Sequence, residues 1–281
     1  MLENITIGQY FATNSIIHRL DPRIKLILSL TLIIGVFFID SYLMMAISIF
    51  VCFAFMITSK IQIKMYLKML KAILPIIIIT SFLNIFYNSE GKTIFSYGII
   101  NITTGGIQKV VLISFRICLL IIFSSMLTYT TSPTELTDAI ERLLSPLKFI
   151  GLGETVHILA MMTSIALRFI PILIEEVDKI TSAQKARGAD IESGNLLKRI
   201  KALIPILIPL LISATRRAYD LAEAMECRCY HGGKGRTKMK QLHLSYQDFI
   251  ACAVIILFLC LIIFGKVYYT DFETTFINSI V

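Results

Sequence analysis

Charge is what this sequence has least of. Asp, Glu, Lys and Arg make up only 16% of the 281 residues, against 56% apolar residues and a mean hydropathy of +0.77. Such a balance excludes a soluble domain of this length. Acidic residues are missing altogether from the expected membrane spans. The four histidines, His18, His157, His231 and His243, are scattered. They form neither a zinc pair at helical spacing nor a Ser-His-Asp set. None of the six cysteines, Cys52, Cys118, Cys227, Cys229, Cys252 and Cys260, falls in an expected outer loop. This argues against a disulfide framework. A cleavable leader is not expected either, because the first 23 residues are mostly polar and lack a basic start followed by an apolar core.

The candidate chemical motifs are incomplete. Gly232-Gly233-Lys234-Gly235 has no glycine five residues before Gly233, no Ser or Thr after Lys234 and no preceding strand. It reads as a flexible loop after a helix end rather than a phosphate loop. Cys227, Cys229 and His231 alternate like metal ligands, but a fourth ligand at suitable spacing is absent, so no metal is expected. Glu175 and Glu176 are adjacent on a helix, point apart and read as a solvated face. The net charge of +8 comes with no nucleic-acid signature. The chain is expected to be no enzyme and to hold no cofactor.

What is present is a series of apolar runs. Leu26 to Ile39 is short but can borrow flanking residues, and Asp40 marks a turn into Ser41 to Ser59. Lys60, Lys64, Lys68 and Lys71 share a helical face suited to anionic headgroups on the cytoplasmic surface. Ala72 to Ser89, with Pro75 in its first turns, is a third span. An outer loop from Glu90 to Gly106, rich in Gly, Asn and Thr, leads to a fourth span from Ile107 to Tyr129. Phe249 to Gly265 is a fifth. Arg116 lies within the fourth span, where it is either functional and paired in the bundle or packed against carbonyls or water.

Two further apolar segments are read as non-spanning: Thr155 to Ile174, which contains His157, Arg168 and Pro171, and the shorter Ala202 to Thr215, with Pro205 and Pro209. The distribution of basic residues supports this. With five spans and the N-terminus inside, inner segments hold 23 of the 27 Lys and Arg, while Lys92, Lys109 and Lys266 lie outside. This asymmetry argues for a multi-pass protein of the cell membrane with a cytoplasmic N-terminus and an outer C-terminus. The expected fold is an all-α integral membrane protein with about five transmembrane helices plus a cytoplasmic helical coupling domain. Residues 1–130 would carry helices one to four, 131–248 the cytoplasmic helices, and 249–281 the last span and an outer tail. The cytoplasmic part opens with an amphipathic helix from Thr134 to Lys148, with Ser132 as N-cap and Pro133 at the first position.

Within that part, two helical runs end alike. Leu173, Val177, Ile180, Gln184 and Arg187 follow one helical face, as do Ala214, Ala218, Leu221, Met225 and Arg228. Each arginine sits in a small-residue site, Ala186-Arg187-Gly188 or Cys227-Arg228-Cys229. An arginine at such a tip can enter a partner groove closely and pair bidentately with a carboxylate. A plain alternative is an arginine favoured by the helix dipole. Recurrence after 41 residues, behind a similar face, favours docking to a separate energy-supplying partner.

At Gln184-Lys185-Ala186-Arg187-Gly188 and Ala224-Met225-Glu226-Cys227-Arg228-Cys229-Tyr230 the sequence resembles the transmembrane T component of energy-coupling-factor transporters. Gly8-Gln9-Tyr10, Ser15, His18, Leu20-Asp21-Pro22-Arg23 and Lys25-Leu26 resemble the N-terminal motif of that family. Thr130-Thr131-Ser132-Pro133, Ser145-Pro146-Leu147 and Leu167-Arg168-Phe169-Ile170-Pro171 extend the likeness over nearly the whole chain. The resemblance implies a scaffold whose two coupling helices rest on two ATP-binding-cassette subunits, as in a heterodimer, with ATP and Mg held there. A membrane-embedded S component would carry the vitamin or metal. Gln184, Ala186, Arg187, Gly188, Glu226, Cys227, Arg228 and Cys229 would dock the ATPases. Asp21, Pro22, Arg23, Arg116, Arg168, Pro171, Pro205 and Pro209 would serve structure and coupling. One departure stands out: the second site usually reads Ala-Arg-Gly, whereas here cysteines flank Arg228. Cysteine is still small, which keeps close docking open. Two other readings are a self-contained permease, which would bind substrate alone, and a membrane enzyme acting on lipid or phosphate through Arg116, Arg168 and His157, which would turn over alone.

Overall fold

The computed structural model describes residues 10–11, 13–39, 41–87, 93–97, 100–151, 153–189, 195–232 and 244–280. In order these form α1 (Ile16–Arg19), α2 (Pro22–Phe37), α3 (Tyr42–Ser59), α4 (Ile63–Tyr87), β1 (Thr93–Tyr97), β2 (Ile100–Thr103), α5 (Thr104–Thr130), α6 (Pro133–Leu143), a 3₁₀ turn (Ser145–Ile150), α7 (Gly153–Ala186), α8 (Leu196–Cys227) and α9 (Tyr246–Ile280). Two units are distinct: a bundle within 8–132 and 242–281, and a helical unit within 133–241.

The bundle is held by apolar faces of α2, α3, α5 and α9. Leu28, Leu32, Val36, Met44, Met45, Cys52, Leu119, Phe123, Ile255, Phe258 and Ile262 belong to its core. With lipid outside as apolar as the core, close packing rather than water exclusion holds such helices together. Two glycines permit that approach. A Cβ at Gly35 would lie 2.9 Å from Leu259 Cδ2, and one at Gly265 would collide with the end of Met44. α4 packs against α5, where the Ser81 and Ser114 hydroxyls share a 3.1 Å hydrogen bond.

One end of the bundle is closed by a buried polar clasp. Asp21 caps α2 by accepting from the Arg23 backbone N–H at 2.9 Å and from the Arg23 guanidinium at 3.0 and 3.1 Å, with Pro22 at the first helical position. Asp248, 1% exposed, accepts from the backbone N–H of Ser245 at 2.7 Å and of Asp21 at 2.9 Å. A single carboxylate thereby serves the starts of both α9 and α2. Lys25, 5% exposed, donates to the carbonyls of His18 at 2.9 Å and Thr130 at 3.1 Å, tying in the C-terminal end of α5. Burial of these charges is tolerable because each is multiply hydrogen-bonded.

The clasp fixes relative directions. α2 and α9 start together at one end, and at the other Lys266 stands 5.5 Å from the Phe38 ring centroid. They therefore run parallel over the same thickness, about 27 Å for the eighteen residues from Asp248 to Lys266 at 1.5 Å each. α5 runs opposite to both. The chain leaves the bundle after α5 and returns at α9 on the same face.

Five helices are long and apolar enough to cross: α3, α4 within Ile63–Ile85, α5, α7, and α9 within Tyr246–Lys266. The number expected from the sequence is right, but the membership differs. α2, with sixteen residues, falls short on length alone, yet it covers the same thickness as α9 beside it. α7 qualifies by length and composition. Thr155 to Ile174, expected not to span, therefore lies in a helix that is long and apolar enough to cross.

Other boundaries need correction. The lysine-bearing segment and the third span are one continuous helix, α4, which carries Lys64, Lys68 and Lys71 in its first turns and passes through Pro75. Lysine is a good helix former, so charge alone gives no break. The outer loop contains an antiparallel hairpin, β1 paired with β2 from Thr93↔Thr103 to Tyr97↔Ile100. Its Thr, Ile, Phe and Tyr residues favour strand more than Gly and Asn suggested. α6 ends at Leu143 rather than Lys148, before Ser145-Pro146, since a residue preceding proline is pushed out of the helical region. Gly8, Gln9, Asp40, Lys92, Gly233, Lys234, Gly235 and His243 lie outside the described residues.

Candidate coupling site

The helical unit consists of α6 packed on α7, and α7 crossing α8. His157 Nδ1 is 2.9 Å from Glu141 Oε1, linking α7 to α6. This partner makes His157 a tie between helices rather than the free anion contact of the enzyme reading. α7 runs unbroken through Arg168 and Pro171, and α8 through Pro205 and Pro209, all four exposed.

At their C-terminal ends the two helices stop in the same way. After α7, the Ala189 N–H donates to the Gln184 carbonyl at 3.0 Å and the Gly188 N–H to the Lys185 carbonyl at 2.9 Å. After α8, the Tyr230 N–H donates to the Met225 carbonyl at 3.1 Å and the Cys229 N–H to the Glu226 carbonyl at 2.8 Å. Both are Schellman caps, which turn on a left-handed residue just past the helix. Gly188 takes that position with φ +86° and Cys229 with φ +54°. The departure at Cys229 therefore leaves the cap geometry intact: cysteine occupies the glycine position at some cost in strain.

Each cap holds its arginine at the C-cap position. Arg187, Arg228, Gly188, Cys227 and Cys229 are exposed, while the stripe residues Leu173, Val177, Ile180, Gln184, Leu221 and Met225 are half-buried. Neither arginine has an ion-pair partner among the described residues. Ala186 and Glu226 are exposed beside them. The two caps thus present their guanidinium groups in the same way, each beside small neighbours.

Sequence reasoning missed the residues where the helices cross. Glu176 is half-buried, not part of a solvated face: its Oε1 accepts from the Ser213 hydroxyl at 2.5 Å and its Oε2 from Arg217 Nη2 at 2.8 Å. It lies past the apolar part of α7, beside Glu175, Asp178 and Lys179. The Ser213 hydrogen bond, with help from Arg217 and the Lys179 charge and against partial desolvation, holds the Glu176 carboxyl below its ordinary value. The available signal was Glu175-Glu176 standing 41 residues before Arg216-Arg217.

In the bundle, Arg116 Nη2 donates to the Ile39 carbonyl just past the end of α2. Packing against a carbonyl, one of the two readings left open for it, is thus present. The clasp contains Asp21, Pro22 and Arg23 as grouped from the sequence, and adds Asp248, whose single acidic side chain at a span boundary was not singled out.

Comparison with known proteins agrees with this architecture. The family model described as cobalt transport protein (CbiQ) matches residues 13–239. The energy-coupling factor transporter transmembrane protein of Ruminiclostridium cellulolyticum is 47% identical over 264 residues, covering 94% of this chain and 97% of that one. Its counterpart in Clostridium kluyveri is 45% identical over 270 residues, 96% and 99% of the two chains. That of Brevibacillus brevis is 44% identical over 262 residues, 93% and 98%. The chain belongs to the family of transmembrane T components of energy-coupling-factor transporters. As a T component it is a multi-pass membrane subunit of a transporter. The twin caps and the clasp are features of this T component's own geometry.

Proposed function

We propose that this T component is the non-catalytic coupling subunit of an ATP-driven importer. α7 and α8 are its coupling helices, and Arg187 and Arg228 seat in acidic grooves of two ATP-binding-cassette subunits. ATP and Mg are held and hydrolysed there. Closure of the ATPases moves the two helices, and the bundle passes the motion to a membrane-embedded S component that carries the vitamin or metal. The helical unit and the N-terminus face the cytoplasm and the C-terminus faces outward.

The observation that supports this reading is the pair of identically capped, exposed arginines, one on each long helix, with no ion-pair partner among the described residues. Two equivalent points suit a dimer of related ATPases. Arg187→Glu with Arg228→Glu tests it by co-purification of the ATPase subunits. Losing a desolvated charge pair costs about 2–5 kcal/mol, so recovery should fall by more than tenfold. Unchanged recovery, or saturable binding of a solute by the chain alone, sinks the proposal.

A further inference from the structure

The two arms share a register that the arginine tips do not by themselves reveal. Aligned on Arg187 and Arg228, residue 176 falls on residue 217, so Glu176 and Arg217 hold equivalent positions in the 41-residue repeat. These are the two residues that meet where α7 crosses α8. Their neighbours match as well, Glu175 against Arg216, so the repeat is self-complementary in charge at this point, as it is again at Lys179 against Asp220 and Lys185 against Glu226. Each arginine then lies eleven residues past the crossing, an arm of about 16 Å at 1.5 Å per residue.

Equal arms about a shared point are what two equivalent docking partners require, and a crossing made only of apolar contacts would leave the angle between the arms soft. At this crossing both oxygens of one carboxylate are engaged by residues one helical turn apart, Ser213 and Arg217. Such a fork fixes the rotation of α8 against α7 as well as their separation. The geometry points to Glu176, Ser213 and Arg217 as the pivot that sets the angle between the two arginine-tipped arms. These are positioning residues: they touch no ATPase and act through Arg187 and Arg228. The inference deepens the proposed function and rests on it for its purpose, but not for its geometry.

Spin labels carried by non-canonical residues at the equivalent, exposed positions Ala183 and Ala224 read the angle in the full chain in nanodiscs. Glu176→Arg and Arg217→Glu should each broaden the distance distribution about twofold, and the charge-swapped double variant should return it toward the parent, the coupling term of a double-mutant cycle. Simultaneous capture of both ATPase subunits should fall about tenfold in each single variant and recover in the swap, with Arg187 and Arg228 untouched. No broadening in the single variants, or broadening that the swap fails to reverse, overturns the pivot. If Glu176→Arg does not fold, Glu176→Gln decides, since it keeps an acceptor for Ser213 while removing the charge; an unchanged width overturns the pivot. Failure of the unmodified chain to capture ATPases overturns the proposed function, while the labels still report on the pivot.

Discussion

Cys229 and Gly188 occupy the same left-handed position in two otherwise equivalent caps, so exchanging their types should move stability in opposite directions. An L-residue in the left-handed region costs roughly 1–2 kcal/mol, and glycine returns about 0.5–1 kcal/mol of that through the greater chain freedom it loses on folding. Cys229→Gly should therefore tighten its cap by about 0.7 kcal/mol, and Gly188→Ala should loosen the other by a similar amount. Packing does not confuse either change. Cys229 is exposed, and a Cβ on Gly188 meets nothing within 4 Å. A helix-end change of this size is local, so the readout is amide exchange rather than global melting. The amides of residues 229 and 230 should exchange about threefold more slowly in Cys229→Gly, and those of residues 188 and 189 about threefold faster in Gly188→Ala, after correction for intrinsic rates. Slower exchange in Gly188→Ala, or no change in Cys229→Gly, would show that the two turns are not the same motif.

Asp248→Ala removes the acceptor of two backbone N–H groups, those of Asp21 and Ser245. At about 1–3 kcal/mol for each unsatisfied group, the bundle should lose roughly 2–6 kcal/mol in thermal unfolding followed by size exclusion; a variant within about 0.5 kcal/mol of the parent would refute the clasp. The crossing should also respond to acid in a defined direction. The folded carboxyl of Glu176 sits below its ordinary value of 4.5, so its contribution is fully present above that value and fades as pH falls through the lowered one. The Ala183–Ala224 label distance should thus be constant from neutrality down to about pH 5, and Ser213→Ala should raise the midpoint of any loosening below it; loosening that begins above pH 6 would contradict the sign.

Much of this fold is legible in sequence because membrane spans announce themselves by length and missing charge. The apolar runs around Ser41–Ser59, Ile107–Tyr129 and Phe249–Gly265 became α3, α5 and α9. Legibility fails where the deciding partner is remote. α2 reads as a span only by borrowing flanking residues, and that it covers the full thickness is visible once α9 stands beside it, joined at Asp21 and Phe38. Glu176 looks solvated because adjacent helical residues point apart, and its partners are 37 and 41 residues away. The arginine sites were legible as a repeat of residue types, but that Cys229 adopts glycine's backbone angle was not, since cysteine carries no intrinsic preference for it.

The two units differ in what holds them. Nearly all buried side chains belong to the bundle; among the described residues of 133–241 only Ala139 and Ile206 are buried. α8 instead leaves Leu197, Ile200, Leu207, Leu211 and Ile212 more than half exposed. Ordering a residue costs about 1–2 kcal/mol of backbone entropy, which burial normally offsets. Two buried residues cannot supply that for a segment of this length, so its helices depend on surfaces that other molecules bring. Under the proposed function the ATPases and the S component supply them. On that reading the angle of the arms responds to what is bound, and the proposed pivot at Glu176 is the feature that keeps a yielding pair of helices moving as one.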